Sequence, residues 1–272
     1  MADTSNILQT IAAANRERVA ADRERRPLEA IAAGAIELAD AEREVGDFTF
    51  PFERALRAPG MSFICEVKRA SPSKGLIAPD FDPVAIARDY EAAGAAAVSV
   101  LTEPRWFQGS GAYLAAVSRE VHVPTLRKDF VVDEYQVYEA KLLHASAVLL
   151  IVGILDDDEL TRYVALCHRL GMSALVEAYE PEEVPRALAA GARVVGVNNR
   201  DLRSFQVDFG RSIDLRPMVG PERVFVSESG VETRDDVARL EAAGVDAVLI
   251  GETLMRAADK RAMLDELRGG AR

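Results

Sequence analysis

From about Met61 onward the chain alternates between short runs of β-branched and aliphatic residues and longer stretches whose apolar positions fall three and four apart. The short runs predict strands over Phe63–Lys68, Ala97–Leu101, Thr125–Lys128, Val148–Val152, Ala174–Glu177, Val194–Asn198, Val224–Ser227 and Ala247–Ile250. The stretches between them predict helices over Pro83–Ala93, Ala112–Glu120, Glu134–Leu143, Asp158–Leu170, Glu182–Ala190, Gly210–Met218 and Arg234–Ala243, with Met255–Leu267 closing the chain. Near-continuous apolar strands separated by helices belong to a parallel sheet covered on its outer side. The helix-to-strand joint repeats at Ala92-Ala-Gly-Ala, Leu143-His-Ala-Ser, Ala189-Ala-Gly-Ala and Ala242-Ala-Gly-Val, and Gly94, Gly191 and Gly244 stand where helices would end. Eight such units in roughly 210 residues are the count of an α/β fold of the (β/α)8, or TIM, barrel type. A doubly wound sheet is the alternative, weakened because no Gly-x-Gly-x-x-Gly follows the first strand.

Upstream, Ile7, Ile11 and Ala14 recur at helical spacing. A charged run over Arg16–Arg26 ends at Pro27, and a second apolar-periodic piece starts at Leu28. Residues 1–52 therefore read as a helical N-terminal extension packed on the barrel, and residues 53–272 as the barrel itself.

The formal net charge of −11 argues against a nucleic-acid partner, which would need a basic footprint. It also means that an anionic ligand would need a local positive island. No apolar run reaches bilayer-spanning length, and Met1–Asn6 has neither the basic nor the apolar part of a secretory signal, so neither membrane nor export is expected. Two cysteines, Cys65 and Cys167, make no disulfide framework and fit a reducing cytoplasm. His122, His144 and His168 show no metal-ligand spacing.

The chemistry collects at the predicted C-terminal strand ends, where barrels of this kind build their sites. In the first strand Glu66 and Lys68 are two residues apart and so share a face, which is costly in a core unless they pair or are used. Ser71, Ser73, Lys74 and Gly75 follow in a loop suited to a small anion. The other ends carry Trp106 and Phe107, Lys128, Glu177, Asn198 with Arg200, Glu228 with Ser229, and Glu252. Gly230 and Gly251, after the last two strands, suit a phosphate held by backbone N–H groups. Any one of these alone is better read as a polar strand edge or a turn glycine. Together, two lysines, two glutamates and an asparagine on one rim read poorly as structure alone.

These residues sit in segments that resemble the indole-3-glycerol-phosphate synthase family of tryptophan biosynthesis. The segments are Glu66-Val-Lys-Arg-Ala-Ser-Pro-Ser-Lys-Gly75, Leu101-Thr-Glu, Phe107-Gln-Gly-Ser110, Leu126-Arg-Lys-Asp-Phe130, Leu175-Val-Glu177, Gly196-Val-Asn-Asn-Arg-Asp-Leu202, Ser227-Glu-Ser-Gly230 and Leu249-Ile-Gly-Glu252. The resemblance implies a carboxy-lyase acting on 1-(2-carboxyphenylamino)-1-deoxyribulose 5-phosphate. The ring closes, carbon dioxide and water leave, and indole-3-glycerol phosphate forms, with no metal or organic cofactor expected. It further implies Lys128 as general acid and Glu177 as its partner in proton transfer and loss of the hydroxyl. Lys68 would hold the anthranilate carboxylate and Glu66 would stabilise positive charge on the anilino nitrogen. Asn198 and Ser229 would orient substrate, with Glu228 beside them. Which lysine serves which step stays open. Ser71, Lys74, Gly230, Gly251 and Glu252 are the implied phosphate site. Phe107, Phe130, Leu149 and Leu202 are the implied surroundings of the aromatic ring, and Arg200 is a further implied substrate-binding residue near the phosphate. The partner is then a small phosphorylated substrate, met by a cytoplasmic chain expected to act as a monomer. Another sugar-phosphate barrel, such as a phosphoribosylanthranilate isomerase, or a barrel that only binds a phosphorylated metabolite, are the competing readings. The first has no need of two lysines together, and the second needs a replaced catalytic position.

Overall fold

The structure is a computed structural model that describes residues 7–46, 50–201 and 205–270. Eight parallel strands close into a barrel, each hydrogen-bonded to its neighbours in sequence order and the last to the first. They are β1 (Ser62–Val67), β2 (Ala97–Leu101), β3 (Thr125–Lys128), β4 (Ala147–Ile151), β5 (Ser173–Ala178), β6 (Val194–Asn198), β7 (Val224–Glu228) and β8 (Ala247–Ile250). Seven are buried along their whole length, and β3 fails to be so only at Lys128. This is the expected burial for strands walled by side chains inside and helices outside.

The extension contributes α1 (Ile7–Arg25) and α2 (Leu28–Glu44), and a short α3 (Pro51–Leu56) follows. The barrel helices are α4 (Pro83–Ala92), α5 (Gly111–Glu120), α6 (Glu134–Leu142), α7 (Asp157–Arg169), α8 (Glu183–Ala189), α9 (Gly210–Leu215) and α10 (Arg234–Ala242). Their starts are written in the sequence: the side chains of Asp82, Ser110, Asp133, Asp156 and Thr233 each accept a backbone N–H of the first turn. Their ends follow the repeated joint. Gly94, Gly191 and Gly244 take φ of +81°, +86° and +77°, and in the fourth copy His144 adopts +62° at the same position.

Two details differ from the sequence expectation. The predicted closing helix is two helices, α11 (Glu252–Arg256) and α12 (Lys260–Arg268). Ala257 is extended, and the Asp259 carboxylate accepts the Ala262 N–H to start the second. The loop after β1 also folds into a two-residue hairpin pairing Ala70–Ser71 with Gly75–Leu76.

Helix α3 buries Phe52 and Leu56 against β1, β2 and β5. At the opposite rim α1 is tied down by polar contacts. Asn15 Nδ2 donates to Asp129 Oδ1 at 3.0 Å and to the Phe130 carbonyl at 2.8 Å, and Arg18 pairs with Asp129 at 2.9 Å. Helix α2 packs on α6, where Lys141 of α6 pairs with Glu42. Among the described residues no helix is long and apolar enough to cross a membrane.

Candidate active site

A cavity of about 600 Å³ opens at the C-terminal ends of the strands. Strand alternation sends Glu66 and Lys68 of the first strand and its exit, Lys128, Glu177, Asn198 and Glu228 into it from five strands. Two ion-pair systems face each other there. Lys68 Nζ donates to Glu66 Oε1 at 2.6 Å. Lys128 Nζ lies between two carboxylates, 3.0 Å from Glu228 Oε2 and 3.4 Å from Glu177 Oε2.

Burial sets the electrostatics. It raises the Glu66 carboxyl, but Lys68, Lys128 and Arg200 outweigh it and bring the group below the usual carboxylate range. Burial opposes charge on Lys128 too. Glu228, Glu177 and Glu66 together overcome this and hold the ammonium above its ordinary value. For Glu228 burial wins: the pull of Lys128 is not enough, and Glu177 adds to the rise. Its second oxygen, Oε1, has no hydrogen-bond partner and lies over Gly196, where a Cβ would stand 2.4 Å away. Two carboxylates thus share one ammonium, and Glu228 keeps a proton above the usual carboxylate range.

Ser229 and Gly230 turn the chain away from β7 with φ of +67° and +86°. The left-handed backbone at Ser229 is held by Asn199, whose Nδ2 donates to the Ser229 carbonyl and the Ser227 hydroxyl at 3.0 Å each. Asn199 Oδ1 in turn accepts from Ser212 Oγ at 2.7 Å, so the loops after β6 and β7 are locked together. Gly251 heads α11 and has a second job. A Cβ there would stand 2.3 Å from Glu66 Oε1 and 2.7 Å from Lys68 Nζ. Any side chain there would have to displace that ion pair.

The cavity brings together Lys128, Glu177, Lys68, Glu66, Asn198, Ser229, Ser71, Gly230, Gly251, Glu252, Phe107, Phe130, Leu149 and Arg200. Phe107 and Phe130 stand 6.0 Å apart, ring to ring, beside Leu149. Lys74 is not in the lining: it is half-exposed and pairs with Glu252 at 3.4 Å. Trp106 also lies outside, beneath the Arg105 guanidinium. Leu202 falls outside the described residues.

Sequence reasoning missed part of the wall. Ile7, Leu8 and Ile11 bring α1 into the lining, and Met263 comes from α12; the helical spacing of Ile7 and Ile11 was the available signal. Asp129 was also passed over. It is fully buried and accepts from Asn15, Arg18, Thr102 and Arg127. The local positive island is a correction. Lys68, Lys128, Arg200 and Arg256 line the cavity against Glu66, Asp129, Glu177, Glu228, Glu232 and Glu252, so the wall is not net positive. Buried lysines were kept with counter-ions rather than left as bare charge. Among the described residues no cluster of three His, Cys, Asp or Glu side chains is set to hold a metal ion.

The barrel matches solved structures of low sequence identity. It is similar to 3-hexulose-6-phosphate synthase from Salmonella typhimurium, with a TM-score of 0.63, 13% identity, and coverage of 76% of this chain and 97% of that one. Thiamine phosphate pyrophosphorylase from Pyrococcus furiosus gives 0.56, 18% identity, and coverage of 76% and 93%. At these identities the likeness shows the fold alone. Sequence relatives go further. Indole-3-glycerol phosphate synthase of Lachnoclostridium phytofermentans is 48% identical over 96% of this chain and 98% of its own. The protein of the same name from Laribacter hongkongensis is 45% identical over 97% and 99%, and that from Ruminiclostridium cellulolyticum 52% identical over 85% and 89%. The family model described as indole-3-glycerol phosphate synthase matches residues 8–267, and the chain belongs to that family.

Proposed function

We propose that this cavity performs the family's ring closure by acid–base catalysis centred on Lys128. The reaction converts 1-(2-carboxyphenylamino)-1-deoxyribulose 5-phosphate into indole-3-glycerol phosphate, carbon dioxide and water. The aryl carbon bearing the carboxylate attacks the sugar carbonyl carbon, and the carbonyl oxygen must take a proton as the bond forms. The observation that carries the reading is the Lys128 ammonium held between Glu177 and Glu228 at three strand ends, opposite the Lys68–Glu66 pair. A lysine kept charged by its neighbours presents a proton donor whose alignment is already made.

Carbon dioxide then leaves, restoring the aromatic ring, and the hydroxyl departs as water, pushed by the anilino nitrogen. Glu177 handles that proton traffic. Glu66, kept ionised, faces the positive charge that grows on the nitrogen. Lys68 holds the substrate carboxylate until it is lost. Asn198, whose Oδ1 is fixed by the Arg200 N–H at 3.0 Å, and Ser229 orient the sugar. Phosphate sits on Ser71 and the backbone N–H groups around Gly230 and Gly251. Glu252 acts there through its backbone, its carboxylate being engaged with Lys74, Arg200 and Arg256. Phe107, Phe130 and Leu149 take the aryl ring, and Leu202 joins them on this reading.

A single chain is the working unit we infer, because the groups named above come from the strand ends and loops of one closed barrel. A cytoplasmic setting suits two cysteines that are both free and buried. The test is product fluorescence with the carboxyphenylamino-deoxyribulose phosphate, wild type beside Lys128→Ala. A general acid of this kind contributes about 10²–10⁴ in rate. A folded Lys128→Ala variant within tenfold of wild-type kcat would overturn the assignment.

A further inference from the structure

The loop between β2 and α5 carries Phe107, and one buried carboxylate sets its shape. Glu103 is 1% exposed. Its Oε1 accepts the Arg105 backbone N–H at 2.9 Å, and its Oε2 accepts those of Trp106 and Phe107 at 2.7 and 3.0 Å. Its carbonyl accepts the Gly109 N–H at 2.7 Å and closes the loop from the other side. Gln108 is left-handed, with φ of +50°. Gly109 is pressed so closely on β2 that a Cβ would stand 2.4 Å from the Leu101 carbonyl oxygen.

Glu103 does not line the cavity. Its partners are those three N–H groups, and among the described residues no lysine or arginine pairs with it. A buried carboxylate without a cation persists only where oriented N–H donors replace water. An ordinary surface turn needs no such group. What the arrangement secures is the backbone at Phe107, whose ring reaches into the cavity beside Phe130.

We propose that Glu103 is a positioning residue for recognition of the substrate's aromatic ring: it holds the Arg105–Phe107 turn so that Phe107 closes the ring slot. The proposal rests on the reading above that Phe107 and Phe130 take that ring. Without the carboxylate three N–H groups lose their acceptor, the turn relaxes, and the slot opens. The ring is gripped in ground and transition states alike, so the loss falls on KM rather than on kcat.

The test is a double-mutant cycle in steady-state kinetics with Glu103→Ala, Phe107→Ala and the double variant, folding being checked by circular dichroism. Glu103→Ala raises KM about tenfold or more with kcat within about threefold, and adds nothing further in the Phe107→Ala background. Glu103→Gln, which keeps one acceptor oxygen, falls between wild type and Glu103→Ala. If Glu103→Ala does not fold, the same cycle is run with Glu103→Gln. A wild-type KM in the Glu103 variant, a loss confined to kcat, or effects that multiply independently in the double variant would overturn the proposal. A wild-type KM for Phe107→Ala would instead overturn the ring-slot reading beneath it.

Discussion

Replacing Asp129 by Asn removes the charge at the junction of the extension, the barrel and the site. The carboxylate is fully buried, and Arg18, Arg127, Thr102 and Asn15 all donate to it. Burial raises its pKa, but Arg18, Arg127 and the Thr102 hydroxyl outweigh this and hold it at about 2 against an ordinary 3.8. Converted by linkage, the ionised group contributes about 2 kcal/mol of stability near neutral pH. Breaking a buried pair outright costs about 3–5 kcal/mol. Arg127 keeps Glu139 at 2.6 Å and the Gln136 carbonyl at 2.7 Å, which limits the loss. We expect Asp129→Asn to lose about 2–3 kcal/mol at pH 7, a fall in Tm of about 3–5 °C for a chain of this length. A carboxyl whose folded pKa is lowered contributes above its ordinary value and stops contributing as pH falls through the lowered one. The gap between the two proteins should therefore hold above about pH 4 and close toward pH 2. Thermal unfolding followed by circular dichroism from pH 7 downward measures both. Equal Tm at pH 7, or a gap indifferent to acid, would refute the reasoning.

At Gly251→Ala the new methyl meets both partners of the Glu66–Lys68 pair, so kcat/KM should fall tenfold or more with the far-UV spectrum unchanged; wild-type kinetics would show that the pair yields without cost. Glu228 keeps a proton in the folded state that the unfolded chain has lost, so it costs stability as pH rises above the usual carboxylate range. Glu228→Gln cannot titrate, and its Tm relative to wild type should improve between pH 5 and pH 8; parallel Tm profiles would count against the assignment. Because the chain is acidic and the cavity wall is not net positive, kcat/KM should stay flat or rise slightly from about 20 to about 200 mM KCl. A tenfold fall would mean that electrostatic steering operates after all.

The barrel was legible because its signals are local. Strand runs, capping residues and the Gly94, Gly191 and Gly244 joints need no distant partner to be read. The charged lining of the cavity was legible for a related reason. Charge on an otherwise apolar strand, as at Glu66, Lys128 and Glu177, stands out against the period-two pattern. What stayed hidden depends on contacts far apart in sequence. Asp129 reads as one more loop acid until Arg18 and Asn15 are seen on it, more than a hundred residues away. The break at Ala257–Asp259 escaped because alanines carry a helical pattern through a point where Asp259 starts a new helix. Gly251 was legible as a turn glycine. Its second constraint, the space for Glu66 and Lys68, comes from the closure of β8 onto β1.

The paired state of the lysines suggests how an acidic protein takes an anionic substrate. An unpaired ammonium buried in this cavity would be pushed toward neutrality. Pairing keeps it charged and aimed, and it does not exhaust it: an ammonium has three donors. Glu66 is within hydrogen-bonding distance of Lys68 at 2.6 Å, leaving donors for a substrate carboxylate. Lys128 is shared by two carboxylates, and on the proposed mechanism its third N–H serves the carbonyl oxygen that must be protonated. Glu228, with a proton retained above the usual carboxylate range, lowers the negative charge around Lys128 when it does so. Phosphate needs no further lysine on this reading, because backbone N–H groups at Gly230 and Gly251 attract it without bringing a charge that must itself be balanced. Selectivity for the anion then comes from where donors remain open, and an excess of carboxylates in the wall is compatible with it.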